Sequence, residues 1–298
     1  MTDADRDEAA ARLAEQGRRL TRSLEKAAGR VRKRSDPEAI HDARVLTRRL
    51  DAALDLGRAV IPGARRRRAR RALRGLRRRI GRAREAQVNT TLLERFLAES
   101  IGADPVAAAL VLDRMRSRRE KLEQRACAAD SRSRAVRALR RVERAWASVA
   151  TIGADPAWLE AAGVRLGRRA QSAQASLEEA LERRDEDSLH RARIAIKRWR
   201  YSSEAMAIVS PETETPAGAW FRSIQESLGQ IHDLAVLRAA LERMKKRPLR
   251  VEPERAVTLL GALIERIEGE RLTRIEKLGS GDMTSARRLV VLPVAGRG

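Results

Sequence analysis

Cysteine is almost missing from this sequence: Cys127 is the one thiol in 298 residues. One thiol closes no disulfide within a chain, so the fold has no covalent staple and suits a reducing compartment. Aromatic residues are only 2% of the total, which leaves little material for stacking the bases of a single-stranded nucleic acid. No apolar run approaches the length of a membrane span, so no membrane partner is expected. Histidine occurs three times, at His41, His190 and His232, and these with one cysteine give no zinc spacing. A P-loop, a dinucleotide fingerprint and a Ser/His/Asp set are missing too. The conspicuous groups are of one sign, whereas catalysis needs polarising groups of both. The sequence therefore reads as a protein without catalytic activity, metal or cofactor. The opening "MTDADRDEAAARL" is acidic and polar, unlike a signal peptide, which points to the cytoplasm.

What is present is helix-forming and basic. Hydrophobic residues make up 43%, mostly Ala, Leu, Val and Ile, enough for a real core. Ala, Leu, Arg and Glu all favour helix, and long β-rich stretches are absent, so the fold class is all-α. The net charge is +23. Self-repulsion of that size weakens a compact state, so an acidic partner is expected. Of the 64 basic residues 57 are Arg, and guanidinium forks match phosphate oxygens in pairs. A GC-rich genome would inflate Arg over Lys, but it does not account for the net charge.

Proline, glycine and capping residues mark the breaks. They predict helical segments at 5–34, 37–60, 64–100, 105–150, 156–184, 187–209, 216–246 and 254–278. "SDPEAI" at 35–40 offers Asp36 as a cap and Pro37 as a first helical residue. "GADP" occurs at 102–105 and again at 153–156, each copy supplying a Gly stop, an Asp cap and a Pro start. "ADSRSR" at 129–134 is a candidate interruption of the fourth segment. Eight segments suggest four plus four: 1–153, then 154–278, with 279–298 as a flexible tail.

Two matching blocks support the duplication. "IHDARVLTRRLDAALDL" at 40–56 and "LHRARIAIKRWRYSSEA" at 189–205 each open the second helix of their half with a histidine. "LRRRIGRAREAQV" at 76–88 and "IQESLGQIHDLAV" at 224–236 then follow at matched distance. The architecture expected is two tandem four-helix bundles related by an internal pseudo-two-fold.

At 100° per residue His41, Arg44 and Arg48 share one helix face, with Arg49 beside them, opposite an apolar stripe. His190, Arg193 and Lys197 do the same, with Arg198 alongside and Tyr201 a turn on. Such a ridge is either an ordinary solvated face or an anion site. Solvated faces usually mix signs, because opposite charges at i,i+4 stabilise a helix. The run at 65–84 holds twelve Arg and no acid, and Arg77 and Arg84 from it join the candidate site. His232, followed by Asp233, reads as a packing or Asp-paired residue.

These blocks resemble the CHAD family, the conserved-histidine α-helical domain, over roughly residues 5–275. "LGQIHDLAV" and the looser "IGRAREAQV" are similar to that family's second element. The resemblance implies a pair of four-helix bundles around a basic central groove or pore, and binding of inorganic polyphosphate there. It places the binding positions on His41, Arg44, Arg48, Arg49, His190, Arg193, Lys197 and Arg198, with Arg200 and Tyr201 as the family's "RY". It also implies association with polyphosphate granules. Asp51 departs from the pattern, as do Glu85 and Gln87 where the family has acids that look structural. The rival to polyphosphate is nonspecific nucleic-acid binding through phosphates along 65–84. A phosphohydrolase using His41 or His190 is a third reading.

Overall fold

Nine helices and no strand occupy the described residues of the computed structural model, which are 3–32, 37–149, 157–211, 213, 219–247 and 251–280. They are α1 (Asp3–Arg32), α2 (Pro37–Leu56), α3 (Gly63–Ala98), α4 (Pro105–Cys127), α5 (Ala129–Ala147), α6 (Trp158–Arg183), α7 (Glu186–Val209), α8 (Ala219–Lys245) and α9 (Pro253–Ser280). The all-α expectation holds.

Local chemistry sets several of the ends. Gly102 turns the chain at φ +76, and Asp104 then caps α4 by accepting from the amides of Val106 and Ala107 at 2.9 and 3.2 Å. Arg184 closes α6 in the left-handed region, and Asp185 caps α7 by accepting from Ser188 at 2.8 Å. The fourth expected segment is two helices. Ala128 turns extended between them, at φ −57 and ψ 154, one residue ahead of the "ADSRSR" stretch. Asp36, the second "GADP", the boundary near 153 and the tail from 281 onward lie outside the described residues.

In each half consecutive helices pack as neighbours, α1 to α4 and α6 to α9, and the halves meet where α2 lies on α7 and α3 on α8. Three buried clusters result. The first joins α1, α2, the start of α3 and α5 to Trp158, Leu159 and Ala162 of α6 and to Ala205, Met206 and Val209 of α7. The second lies among α6, α7, α8 and the end of α9. The third joins Leu93 and Phe96 of α3 and the start of α4 to Leu234, Leu237 and Leu241 of α8 and to α9. Two of the three cores thus draw on helices from both sides of residue 153.

The scarce aromatics are spent on these cores. Trp146, Trp158 and Trp199 are buried, and Trp199 meets Phe221 edge-on with centroids 5.3 Å apart. Truncating any of them would cost about 3–5 kcal/mol. Trp146 lies where a side chain on Gly17 would be: a Cβ there would come within 2.7 Å of its Cζ2.

Candidate functional site

The apolar stripes of α2 and α7 are buried, through Ala43, Leu50 and Ala53 on one helix and Ala192, Ile196 and Trp199 on the other. Because these two helices pack together, their basic ridges converge instead of pointing into separate solvent. Arg48 of α2 and Arg193, Lys197, Arg198 and Tyr201 of α7 line one cavity of about 370 Å³. Its other walls carry Arg70, Arg74 and Arg77 of α3 and Arg169 of α6.

The two ends of this cavity differ in charge balance. At one end Asp55 takes ion pairs from Arg70 and Arg169 and lies 3.8 Å from Arg66. Asp51 pairs with Arg70 at 2.8 Å and lies 3.9 Å from Arg77. Here the acids hold the arginines in place. At the other end Arg44, Arg48, Arg193 and Lys197 crowd together; Asp233 of α8 acts on Arg44, Arg193 and Lys197, and Glu85 also acts on Arg44. Among the described residues neither these four cations nor Asp233 closes an ion pair. Arg193 is 9% exposed, and its Nε has no hydrogen-bond partner.

The cost of that crowding appears in the proton affinities. Burial, then Arg193, Arg48 and Arg44, push the Lys197 ammonium down to about 7, against the pull of Asp233. Burial likewise takes Arg193 down to about 10, with Arg48 and Arg44 adding to the effect. Arg44 is lowered by burial and by Arg48, and Arg77 by burial. Asp233 is raised, because burial outweighs the attraction of Arg193 and Lys197. A half-buried nest of like charge with few acids near it could take an anion, which would relieve both the repulsion and the unpartnered donor.

The remaining candidate residues fall in three places. His41 is exposed on α2; partial burial and then Arg84 lower its pKa, with Asp42 opposing. Arg84 lines an adjoining cavity of about 430 Å³ with Gln87, Arg119 and Glu123. Arg49 stands outside the cavity lining: its Nε donates to Glu204 at 3.0 Å, and Glu204 also holds Arg200 at 2.8 Å. His190 is outside it as well. Its Nδ1 lies 3.4 Å from Nδ1 of His232, and both rings line a neighbouring cavity of about 380 Å³ with Glu85, Glu186 and Asp187. His232, expected to pack or to pair with Asp233, is the partner of His190. Burial and then Arg193 push it down to about 3.

Sequence reasoning did not single out Arg70, Arg74, Arg169 or Asp233. The two α3 arginines were visible only as members of a run. Arg169 carries no local signal, since its partner Asp55 is 114 residues away. Among the described residues no group of three or more His, Cys, Asp or Glu could hold a metal ion, and no helix is long and apolar enough to cross a membrane.

Comparison with known proteins bears on the family and the fold. The family profile described as "CHAD domain" matches residues 7–242. The fold is similar to the crystal structure of the CHAD domain from the plant Ricinus communis, with a TM-score of 0.61 and 22% identity over 97% of this chain and 92% of that one. It is also similar to PptA from Streptomyces chartreusis, with a TM-score of 0.64 and 18% identity over 94% of this chain and 99% of that one. No curated protein matches. With a family profile that takes in both histidine-headed helices and most of the remaining bundle, the chain belongs to the CHAD domain family.

Proposed function

We propose that this protein binds inorganic polyphosphate, without catalysis, in the cleft between α2, α3, α6 and α7. The observation that carries the reading is the unpaired nest of Arg44, Arg48, Arg193 and Lys197, half-buried beside a cavity of about 370 Å³. A polyphosphate has about one charge per phosphate and no bases, so it asks for a cationic track and no stacking platform. Arg48, Arg74, Arg77 and Arg193 from three helices supply such a track. Membership of the CHAD family supports the same ligand. The parallel packing order of the two halves, and the meeting of α2 with α7 and α3 with α8, support a duplicated unit that sets one ridge on each wall. The protein would act in the cytoplasm, on polyphosphate granules.

The test is a titration against polyphosphates of several lengths, with duplex DNA as competitor. Polyphosphate should displace DNA at far lower phosphate concentration than the reverse. The opposite order would favour the nucleic-acid reading. Phosphate release from polyphosphate with Mg²⁺ or Mn²⁺ present would overturn the non-catalytic assignment.

A further inference from the structure

A second cationic groove lies outside the cleft, on the far side of α3. Arg78, Arg79 and Arg82 of α3 face Arg134, Arg137 and Arg141 of α5 across a cavity of about 350 Å³. Its floor is Ala72, Leu76 and Ala138, and Gly75 keeps the α3 wall low, with nothing within 4 Å of where a Cβ would stand. Among the described residues no acid lines it. Arg78, Arg79, Arg82, Arg137 and Arg141 enter no ion pair there.

Several exposed arginines elsewhere are treated differently. Glu15 serves Arg18, Arg19 and Arg22 on α1; Glu94 holds Arg116; Glu99 holds Arg266; Glu270 holds Arg274. At these places the sequence sets acids among its arginines, as helix stability favours. The α3–α5 groove has no acid in its lining, a feature it shares with the groove of Arg114, Arg118, Lys121, Arg243, Lys246 and Arg247, and it sets two helices' worth of one sign across a channel. Planar guanidinium pairs suit phosphate oxygens, and an Ala- and Leu-lined floor offers nothing to a base.

Neighbouring turns of α3 serve the groove and the cleft. Arg74 lines the central cavity and Arg78 the outer groove. They stand at i and i+4 on α3, one turn or about 6 Å apart along the axis. We infer that the α3–α5 groove is a second stretch of the same polyanion track, reached over α3 by polyphosphates too long for the central cleft. The inference rests on the central-cleft reading and adds a length-selecting element to it.

The experiment compares tripolyphosphate with long-chain polyphosphate on three proteins. These are the wild type, an outer variant (Arg79, Arg82, Arg137 and Arg141→Gln), and a cleft variant (Arg48, Arg193 and Lys197→Gln). The outer variant should bind tripolyphosphate like the wild type and long chains at least about tenfold more weakly. Its salt slope for long chains should be shallower by about 3, for four lost phosphate contacts on a single strand. The cleft variant should lose both ligands. An outer variant with wild-type affinity and salt slope for long chains overturns the inference and leaves the cleft reading standing. A wild type that binds no polyphosphate overturns both. Duplex DNA binding that vanishes in the outer variant, with long-chain binding intact, would reassign the groove to nucleic acid.

Discussion

His190 and His232 meet nitrogen to nitrogen, their Nδ1 atoms 3.4 Å apart and their ring centroids 5.1 Å apart. In that contact one Nδ1 donates and the other accepts, so the pair holds only if at least one ring is neutral at Nδ1. The two histidine-headed helices therefore do different work. His41 sits under the field of Arg84, whereas His190 leans on a second imidazole.

The pair should make the fold sensitive to acid. His232 titrates at about 3 in the folded chain, and near 6.5 when unfolded. Between those values the unfolded chain binds the extra proton, so stability is full above about 6.5 and declines as pH falls, by about 1.4 kcal/mol per unit. Urea denaturation at pH 7 and pH 5 should show the wild type losing about 2 kcal/mol more than His232→Phe. Equal losses in the two proteins would mean that His232 does not govern acid stability.

Lys197 should couple binding to protons. Its ammonium, held at about 7 by burial and by Arg193, Arg48 and Arg44, is largely neutral at pH 8. A bound polyanion restores the charged form, so binding at pH 8 should take up about one proton, and affinity should fall by up to about tenfold from pH 7 to pH 8. Calorimetry in two buffers of different ionisation heat measures the uptake. Lys197→Arg should flatten the profile; an unchanged profile in that variant would move the titrating group elsewhere.

The nest should trade stability for affinity. Lys197→Met removes a charge that the fold disfavours, so the unliganded protein at pH 7 should gain about 1–4 kcal/mol while losing polyphosphate affinity. The fourfold replacement Arg44, Arg48, Arg193 and Lys197→Ala should nearly abolish binding with the helix content unchanged by circular dichroism. These side chains lie opposite the apolar stripes and open no core. A Lys197→Met protein that melts earlier than the wild type would contradict the repulsive account.

Three glycines separate fold from cleft. Gly229 shares a helix face with Asp233, and Gly81 shares one with Arg77 and Arg84. Nothing lies within 4 Å of a Cβ at either position. Alanine there should stabilise by up to about 1 kcal/mol, by helix propensity alone. Leucine at Gly81, on the α3 face that carries Arg77, should fold as well and bind more weakly, by narrowing the cleft. Gly17→Ala should instead destabilise by about 1–3 kcal/mol, since its methyl would enter the Trp146 ring. Thermal melts and one titration cover the series.

How far the sequence could be read depended on the range of the interaction. The Asp104 cap and the Pro105 start are signals within three residues, and α4 begins where they say. The ridge of Arg44, Arg48, Arg193 and Lys197 follows from helical period, because the apolar stripe fixes which face is left over. The same period sets Arg49 beside the ridge, but its fate is decided by Glu204, 155 residues on. His41 and His190 have matching local patterns, and what separates them is the residue each meets on another helix. The proton-sensitive member of the ridge is Lys197, whose surroundings no local pattern describes. Periodicity tells which face is buried, and not against whom, so the sharing of cores across residue 153 was not legible.

That sharing has a consequence for how the chain can be divided. Leu93 and Phe96 find their neighbours on α8 and α9, while Ala205, Met206 and Val209 complete the core built on α1 and α2. α6 to α9 close one core among themselves, but neither half closes all of its interior, so the peptide link between them should be dispensable once both are present. Two separately expressed fragments, divided between Val149 and Ala157, should each be poorly folded alone and should assemble into a stable heterodimer when mixed. The two sides of residue 153 are thus no pair of independent units but two strands of one clasp, and the cleft between α2, α3, α6 and α7 is the seam along which they close.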